Sequence, residues 1–348
     1  MLPFCASGIA TLTVLCSNLH KPGPLFIGES LTVFSKRQQR RIGFRVFTDQ
    51  KIGQIIISSF LFSYVTSQTI DAVLADYLLR LGSLCLTADP YQALFYFFGR
   101  GRNGKSAFVN VLTDVLGDFA WQLRPSEITV NRNGDEGEKR TYWNLRGKRL
   151  VVGGEAVGQR LNYSMLKKMS GGEPLTGASM RQNAVLINPT WKIVLVTNEK
   201  PDIPADPAFK GRVHMIPFRV SFLGREDPDL PQKLKAEYPG IVYKLLRMCP
   251  DVLANRLRPP TSVLAETREL FDELDVTGQF VRECLVVGDG FVSRAEMEQA
   301  IVAWQSKNQL PDCRDKILSE LRAHSSGVKS GRAGKAGTRG YDRVRLTG

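Results

Sequence analysis

The stretch Gly99–Ser106 constrains the fold of this chain more than any other. It reads GRGRNGKS and fits the phosphate-binding pattern G-x-x-x-x-G-K-[S/T]. An all-apolar run, Ala93–Phe98, precedes it, and apolar residues at helical spacing follow it to Leu116, with Gly117 placed to end that helix. The order of strand, glycine loop and helix is the context that the motif requires, which disfavours the alternative of an ordinary glycine-rich turn.

The residues of this loop predict binding of a nucleoside triphosphate. Glycines allow successive backbone N–H groups to point at phosphate oxygens, and the N-terminus of the following helix adds positive potential. Lys105 is expected to reach the β- and γ-phosphates, and the Ser106 hydroxyl is expected to hold Mg²⁺. The candidate nucleotide-binding residues are Gly99, Gly101, Arg102, Asn103, Gly104, Lys105 and Ser106.

Three polar residues further along the chain adjoin predicted strands. Glu155 follows the apolar run Leu150–Val152 and two glycines, and it is the candidate general base and metal-water organiser; a surface glutamate is the alternative. Asn198 follows the strand Lys192–Thr197, where an amide suits sensing of a γ-phosphate, and strand-end capping is the alternative. Arg212 stands between a proline-containing loop and an apolar strand, so it is either a guanidinium offered to a phosphate, across a subunit interface for example, or a plain surface arginine.

The charge balance indicates what kind of partner to expect. The 348 residues include 47 Lys and Arg against 34 Asp and Glu, a formal net charge of +13. Such an excess favours a polyanionic partner, either nucleic acid or a membrane surface. The six cysteines are scattered without metal-ligand spacing and histidines number three, so we expect free thiols in a reducing cytoplasm rather than a zinc site.

Residues 1–69 give no functional assignment. The N-terminus lacks the basic flank of a signal peptide, and the apolar run Ile55–Val65 is too short to span a bilayer, so no membrane segment is expected. The basic cluster Ser35–Arg41 suits either contact with nucleic acid or a solvated surface.

Apolar spacing and turn residues outline the elements around the loop. Helical periodicity begins at Asp71 and continues to Leu84. The other predicted elements are an exposed loop at 131–135, a short helix at 161–169, a hairpin at 174–187, and helices at 229–257 and 260–274.

The end of the chain predicts a unit that attracts DNA. Two amphipathic helices, at 292–308 and 313–324, precede a glycine-rich stretch, and residues 322–348 hold seven Lys and Arg against one acid. Helices followed by a basic β hairpin favour a winged helix whose cations contact phosphates, and a disordered basic tail is the alternative. The candidate nucleic-acid-binding residues here are Lys329, Arg332, Lys335 and Arg339.

Several motifs in a fixed order resemble the superfamily 3 helicases, specifically the phage/plasmid primase–helicase family, with poxvirus-type primase–helicases as distant relatives. The resemblance covers roughly residues 70–348. Beside the phosphate loop it rests on Asp76–Leu78, Leu84–Thr87, Gly147–Glu155, Met180–Gln182, Thr197–Asn198 with Pro201, and Arg212–Phe218.

The resemblance implies a RecA/AAA+-like α/β core, a P-loop parallel sheet with flanking helices, that assembles as a ring, usually a hexamer, around DNA. It implies that Lys105 and Ser106 bind ATP and Mg²⁺. It further implies that Glu155 is the Walker B acid and also a metal ligand. Asn198 then becomes the sensor, and Arg212 becomes the arginine finger that reaches the ATP of the neighbouring subunit.

The resemblance also implies a hairpin that faces DNA in the central channel, within residues 167–181. Its candidate DNA contacts are Lys167, Lys168 and Arg181. Two features depart from the family pattern. Glu155 follows glycines rather than a second carboxylate, and the hairpin has Gly177–Ser179 where relatives often carry an arginine.

These features predict five regions: 1–69 of unclear role, a helical segment 70–92, a P-loop ATPase core 93–222, a helical lid or linker 223–280, and a winged-helix-like basic unit 281–348. The predicted function is an ATP-dependent, ring-forming DNA helicase module of phage or plasmid replication. No primase catalytic domain is expected within this sequence, so a separate primase or polymerase is an expected partner beside DNA. The alternative is a non-hydrolysing or degenerate DNA-binding replication or origin protein. The expected location is cytoplasmic, in a bacterial or viral replication setting.

Overall fold

The structure is a computed structural model. It describes residues 71–130, 134–154, 161–180, 182–201, 203, 206–321, 328–333 and 338–347. The predictions made for residues 1–69, Glu155, Arg181 and Lys335 therefore lie outside the described residues. The chain divides into two compact units, the first ending at Thr267 and the second running from Arg268 to the end, with residues 202–205 grouped with the second. The five region boundaries predicted from the sequence stay predictions.

The first unit alternates strands and helices, as the sequence pattern predicts. Its elements up to the hairpin are α1 (Ala72–Cys85), β1 (Leu94–Phe98), α2 (Lys105–Leu116), β2 (Ala120–Gln122), α3 (Pro125–Ile128), α4 (Gly134–Asn144), β3 (Leu150–Gly154), α5 (Tyr163–Met169), β4 (Leu175–Gly177) and β5 (Val185–Ile187). The elements that follow are β6 (Lys192–Thr197), α6 (Pro207–Lys210), β7 (Val213–Pro217), α7 (Leu230–Ala236), α8 (Tyr238–Asn255) and α9 (Thr261–Leu274), and the division between the two units falls within α9.

A five-stranded parallel sheet forms the centre of the first unit. The strand order is β2–β3–β6–β1–β7, and every neighbouring pair is parallel. β1 pairs with a strand on each side and is buried from Leu94 to Phe97. Its continuous apolar sequence is explained by this position, because a parallel strand covered on both faces exposes neither face to water. The carboxyl ends of all five strands share one edge of the sheet, where ligands of such sheets bind. The predicted α/β class is confirmed.

Helices α1, α2 and α8 pack against one face of this sheet in a single apolar cluster. The start of α1 is fixed by its cap, because the Leu74 N–H donates to Asp71 Oδ1 at 2.7 Å. This confirms the helix predicted from Asp71. Helix α2 ends at Gly117, also as predicted.

The carboxyl end of α1 is held to the sheet by two buried cations. Arg149 Nη1 donates to Leu86 O at 2.6 Å, and Lys192 Nζ donates to Thr87 O at 2.8 Å. Cations are stabilised near the last carbonyls of a helix, where the backbone dipoles leave negative potential. The Lys192 side chain is completely buried, and that burial lowers its pKa from 10.5 to about 8.

Two predicted elements differ from those observed. The exposed loop predicted at 131–135 is wrong at its end, because α4 begins at Gly134. Asp135 and Glu136 stabilise a helix N-terminus because their negative charges oppose the positive end of the helix dipole. Both also pair with Lys139 one turn further along the helix. The helix predicted at 229–257 is two helices, α7 and α8. The predicted hairpin is confirmed, since β4 and β5 pair antiparallel.

The second unit combines three helices with an antiparallel sheet. Its elements are α10 (Val276–Cys284), β8 (Leu285–Ser293), α11 (Arg294–Lys307), α12 (Arg314–Glu320), β9 (Lys329–Ala333) and β10 (Thr338–Leu346). The sheet order is β8–β10–β9, and the helices bury their own apolar core around Met297, Ile301 and Ile317. The two predicted helices correspond to α11 and α12, and the paired strands β9 and β10 favour the hairpin over a basic tail. Across the described parts of both units, no helix is long and apolar enough to cross a membrane.

Candidate nucleotide-binding site

The phosphate loop connects β1 to α2 at the carboxyl edge of the parallel sheet. Gly99 has φ 146°, and a Cβ there would lie 2.3 Å from Phe218 O, so the loop accepts only glycine at this point. Gly104 has φ 85° and occupies the N-cap of α2, which therefore has no capping side chain. The first turn of α2 also carries no acidic residue. An uncapped helix N-terminus with this polarity suits an anion such as a phosphate.

Lys105 is held in place beside this loop. Its side chain is buried although it carries a charge, with the residue only 4% exposed. The ammonium donates to Gly99 O, to Asn103 Oδ1 at 3.1 Å and to Asn198 Oδ1 at 3.4 Å. The structure thus brings together Lys105 and Asn198, two residues that stand 93 positions apart and were both predicted from the sequence to serve the site.

The turn after β6 sets the direction of Asn198. The Thr197 hydroxyl donates to Glu199 O at 2.8 Å and accepts from the Glu199 N–H at 3.2 Å. A threonine that bonds its own backbone two residues on fixes a tight turn. Asn198 consequently lies at the exposed edge of the sheet with its amide oxygen towards Lys105.

The segment that follows β7 packs against the phosphate loop, which sequence reasoning did not anticipate. Asn103 Nδ2 donates to Phe218 O at 2.9 Å, and the Phe222 N–H donates to Arg102 O at 2.8 Å. The Arg102 guanidinium forms an ion pair with Glu226, and its hydrogen bond lowers the pKa of that carboxyl. These contacts join residues more than a hundred positions apart, so no local pattern signals them.

Arg212 lies at the opposite edge of the sheet from the phosphate loop. Its carbonyl accepts from the Leu94 N–H at 2.7 Å, at the start of β1, whereas the loop begins after Phe98 at the other end of that strand. A strand of this length spans about 13 Å. Arg212 Nη1 donates to Lys167 O at 3.0 Å. The structure therefore does not bring Arg212 together with Lys105 of the same chain.

Two of the lysines predicted to contact DNA, those of the segment 167–181, are ion-paired within the chain. Lys167 pairs with Asp206, and Lys168 pairs with Glu138 at 2.9 Å. At the hairpin tip, Met180 is 75% exposed. The acidic partners carried no motif that would have identified them from the sequence.

Ser106 and Glu155 are the two predicted ligands for Mg²⁺, and of these the structure describes Ser106. It is exposed in the first turn of α2, beside the loop. No group of three His, Cys, Asp or Glu side chains able to hold a metal occurs among the residues that the structure describes. Mg²⁺ in phosphate sites keeps several waters and takes one or two protein ligands together with substrate oxygens. A serine hydroxyl at this position fits that mode of binding.

Basic residues lie along the last two strands of the second unit. Lys329 and Arg332 lie on β9. Arg339 is exposed on β10, together with Arg343 and Arg345. The pairing of β10 with β8 is irregular at Arg343, which has φ 58°.

A protein-family model and a solved structure both match parts of this chain. Residues 97–212, from the end of β1 to Arg212, match the model of a family of unknown function, DUF5906. The solved A form apo structure of the NrS-1 C-terminal region superposes with a TM-score of 0.46 at 15% identity, over 79% of this chain and 62% of that chain.

Three viral proteins match over longer stretches than the family model does. "Putative helicase L207/L206" of Acanthamoeba polyphaga mimivirus is 24% identical over 267 residues, which are 70% of this chain and 28% of that protein. "Putative helicase 022R" of Frog virus 3 is 23% identical over 57% of this chain and 22% of its own length. "Putative helicase V13" of Sputnik virophage is 20% identical over 70% of this chain and 34% of its own length. The chain thus spans about a third or less of viral proteins bearing a helicase name, of which it is a distant homologue.

Proposed function

We propose that this chain binds and hydrolyses ATP and serves as the motor module of a DNA helicase related to superfamily 3. The observation that supports this most is the position of the Lys105 ammonium, buried at the carboxyl edge of a parallel sheet and 3.4 Å from Asn198 Oδ1. A lysine in a phosphate loop, opposite a polar side chain of a neighbouring strand, is suited to phosphoryl transfer. The distant viral homologues with helicase names support the use of that hydrolysis on DNA.

In this proposal each residue has a defined task. The loop N–H groups and Lys105 neutralise charge on the β- and γ-phosphates, which stabilises the transition state electrostatically. Asn198 orients the attacking water, and Glu155 accepts its proton. Ser106 and Glu155 would hold Mg²⁺, which would supply further charge neutralisation on the phosphate oxygens.

The position of Arg212 suits catalysis in an assembly. It stands at the edge opposite its own phosphate loop, so its guanidinium is suited to the triphosphate of a neighbouring copy. Head-to-tail contacts of this kind generate a closed ring when the rotation between successive copies closes, and an open filament when it does not. We therefore include a homo-oligomeric ring, of hexameric size in related proteins, in the proposed function.

DNA contact is proposed for the second unit and for the β4–β5 hairpin. The order helix, strand, helix, helix, strand, strand in the second unit is that of a winged helix, with Arg339 on its hairpin. In the hairpin region, Lys167 and Lys168 must exchange their acidic partners for phosphates. Such exchange costs little, because partly exposed ion pairs contribute about 1 kcal/mol or less.

The test is ATP hydrolysis by the purified chain with and without single-stranded DNA. We expect hydrolysis that DNA stimulates, and Lys105→Ala should abolish it, whereas Lys235→Ala, an exposed lysine on α7, should leave it unchanged. Wild-type hydrolysis no faster than that of Lys105→Ala would contradict the enzymatic proposal. Strand displacement with ATP, compared with a non-hydrolysable analogue, separates a motor from the alternative of a DNA-binding protein that does not hydrolyse ATP.

A further inference from the structure

We propose that Asn103 is a positioning residue: its amide sets the Lys105 ammonium and ties it to the backbone that follows β7. The inference rests on the proposed nucleotide binding and assigns a task to a loop residue that the motif itself leaves variable. The inference rests on the side-chain amide of Asn103, which both donates and accepts a hydrogen bond. The residue is buried, with only 3% of its surface exposed.

The orientation of this amide follows from its two neighbours. Asn103 Oδ1 accepts from Lys105 Nζ at 3.1 Å, and Nδ2 donates to Phe218 O at 2.9 Å. A flipped amide would place an NH₂ group against an ammonium and an oxygen against a carbonyl, and both contacts would be repulsive. A neutral side chain with one acceptor and one donor is therefore what this position requires.

The neutrality of the acceptor preserves the charge of Lys105 for phosphate. A lysine side chain is flexible, and holding it before a ligand arrives reduces the entropy that binding must remove. A carboxylate would hold the ammonium as well as an amide does. It would also cancel the lysine charge and repel an incoming triphosphate, so an amide serves and a carboxylate does not.

The second bond of the amide connects the loop to the sheet. The Phe218 N–H donates to Phe98 O at 2.8 Å, so Phe218 continues the pairing of β7 with β1. The Phe218 carbonyl also lies 2.3 Å from where a Gly99 Cβ would stand. Asn103 thus locks the loop onto a backbone group that is itself fixed by β1, and the position of Lys105 follows from that lock.

The isosteric change Asn103→Asp tests this inference through pH. When deprotonated, the carboxylate pairs with Lys105, repels phosphate and faces Phe218 O without a proton to donate. When protonated, its O–H donates to Phe218 O and its carbonyl accepts from Lys105, which reproduces the asparagine. We expect the Kd for a fluorescent ATP analogue at pH 8 to be about tenfold or more above that of the wild type. The ratio of the two Kd values should fall several-fold by pH 5.5, because binding to the variant takes up a proton.

The ratio to wild type is the readout, since the γ-phosphate itself titrates in this range. Asn110→Asp, an exposed residue of α2, makes the same chemical change without either contact and should keep a ratio near one at every pH. A ratio for Asn103→Asp that stays near one, or a loss that does not change with pH, would overturn the positioning role.

A second variant covers the case in which Asn103→Asp does not fold. Asn103→Ala removes both bonds and adds no charge, so we expect weaker ATP binding with the pH dependence of the wild type. ATP binding as tight as that of the wild type would overturn the inference. Failure of the wild type itself to bind the analogue would contradict the proposed function, whereas equality of wild type and both variants contradicts the role of Asn103 alone.

Discussion

The buried lysine at the start of β6 predicts an unusual rise of stability in alkali. Lys192 has no exposed surface, and its ammonium donates to Thr87 O at 2.8 Å and to Thr190 O at 3.3 Å. Burial disfavours its charged form and lowers its pKa from 10.5 to about 8. Replacement by methionine, Lys192→Met, removes the titrating group and keeps a side chain of similar length.

The sign and size of the effect follow from linkage between protonation and folding. Between pH 8 and 10.5 the folded chain has lost the Lys192 proton, whereas the unfolded chain keeps it. The unfolded state therefore binds more protons, and stability rises with pH across this window. A shift from 10.5 to about 8 corresponds to about 3 kcal/mol of stability, present above pH 10.5 and lost as the pH falls through 8.

Urea titrations of wild type and Lys192→Met at several pH values measure this contribution. Other lysines and tyrosines titrate in both proteins, so the difference in the free energy of unfolding isolates Lys192. We expect that difference to shift in favour of the wild type by up to about 3 kcal/mol between pH 8 and 10.5. Lys235→Met, at an exposed position on α7, is the matched control and should show no such shift. A pH-independent difference between wild type and Lys192→Met would refute the reasoning.

Three further predictions concern the same chain. His214 lies on β7, and burial lowers its pKa from 6.5 to about 4. The unfolded chain therefore takes up a proton before the folded chain does, so the free energy of unfolding should decrease as pH falls from 6.5 to 4, and His214→Phe should flatten that slope in urea titrations. If Arg212 acts on a neighbour's site, mixing equal amounts of inactive Lys105→Ala and inactive Arg212→Ala should restore hydrolysis at roughly a quarter of the interfaces, those that pair an intact Lys105 with an intact Arg212. No recovery of hydrolysis in the mixture would contradict action across an interface. Arg339→Ala should lower the slope of log affinity for duplex DNA against log salt by about 1, and an unchanged slope would exclude a phosphate contact.

Local sequence pattern predicted the elements that build the nucleotide site. The apolar run before Gly99, the phosphate loop and the helix ending at Gly117 are all present, because each depends on residues within a few positions. The hairpin at 174–187 and the helix from Asp71 were predicted for the same reason. The loop predicted at 131–135 is wrong at its end, because the run Asn-Arg-Asn-Gly-Asp is typical of a turn, whereas Lys139 pairs with Asp135 and Glu136 along a helix that begins at Gly134.

Contacts between distant residues escaped prediction. The phosphate-loop motif identified Lys105, and the end of a predicted strand identified Asn198. Neither pattern showed that Asn103 bridges Lys105 to Phe218, which lies 115 positions from Asn103. The family resemblance implied a DNA contact at Lys167, and the ion pair of that lysine with Asp206 was not predicted because the two residues lie in different parts of the sequence. Long-range contacts depend on the order of the strands in the sheet. β6 and β7 lie on either side of β1, although many residues separate each of them from β1 along the chain.

The Kd for an ATP analogue with Mg²⁺, measured for wild type and Lys105→Ala, tests most directly whether this loop binds the triphosphate. Two unit charges about 4 Å apart contribute about 4 kcal/mol at an effective dielectric constant near 20, which sets an upper limit of about a thousandfold for the loss of affinity. We predict micromolar to millimolar binding by the wild type and a Kd raised by about tenfold or more in the variant. Equal affinity of the two proteins for the analogue would contradict nucleotide binding at Gly99–Ser106.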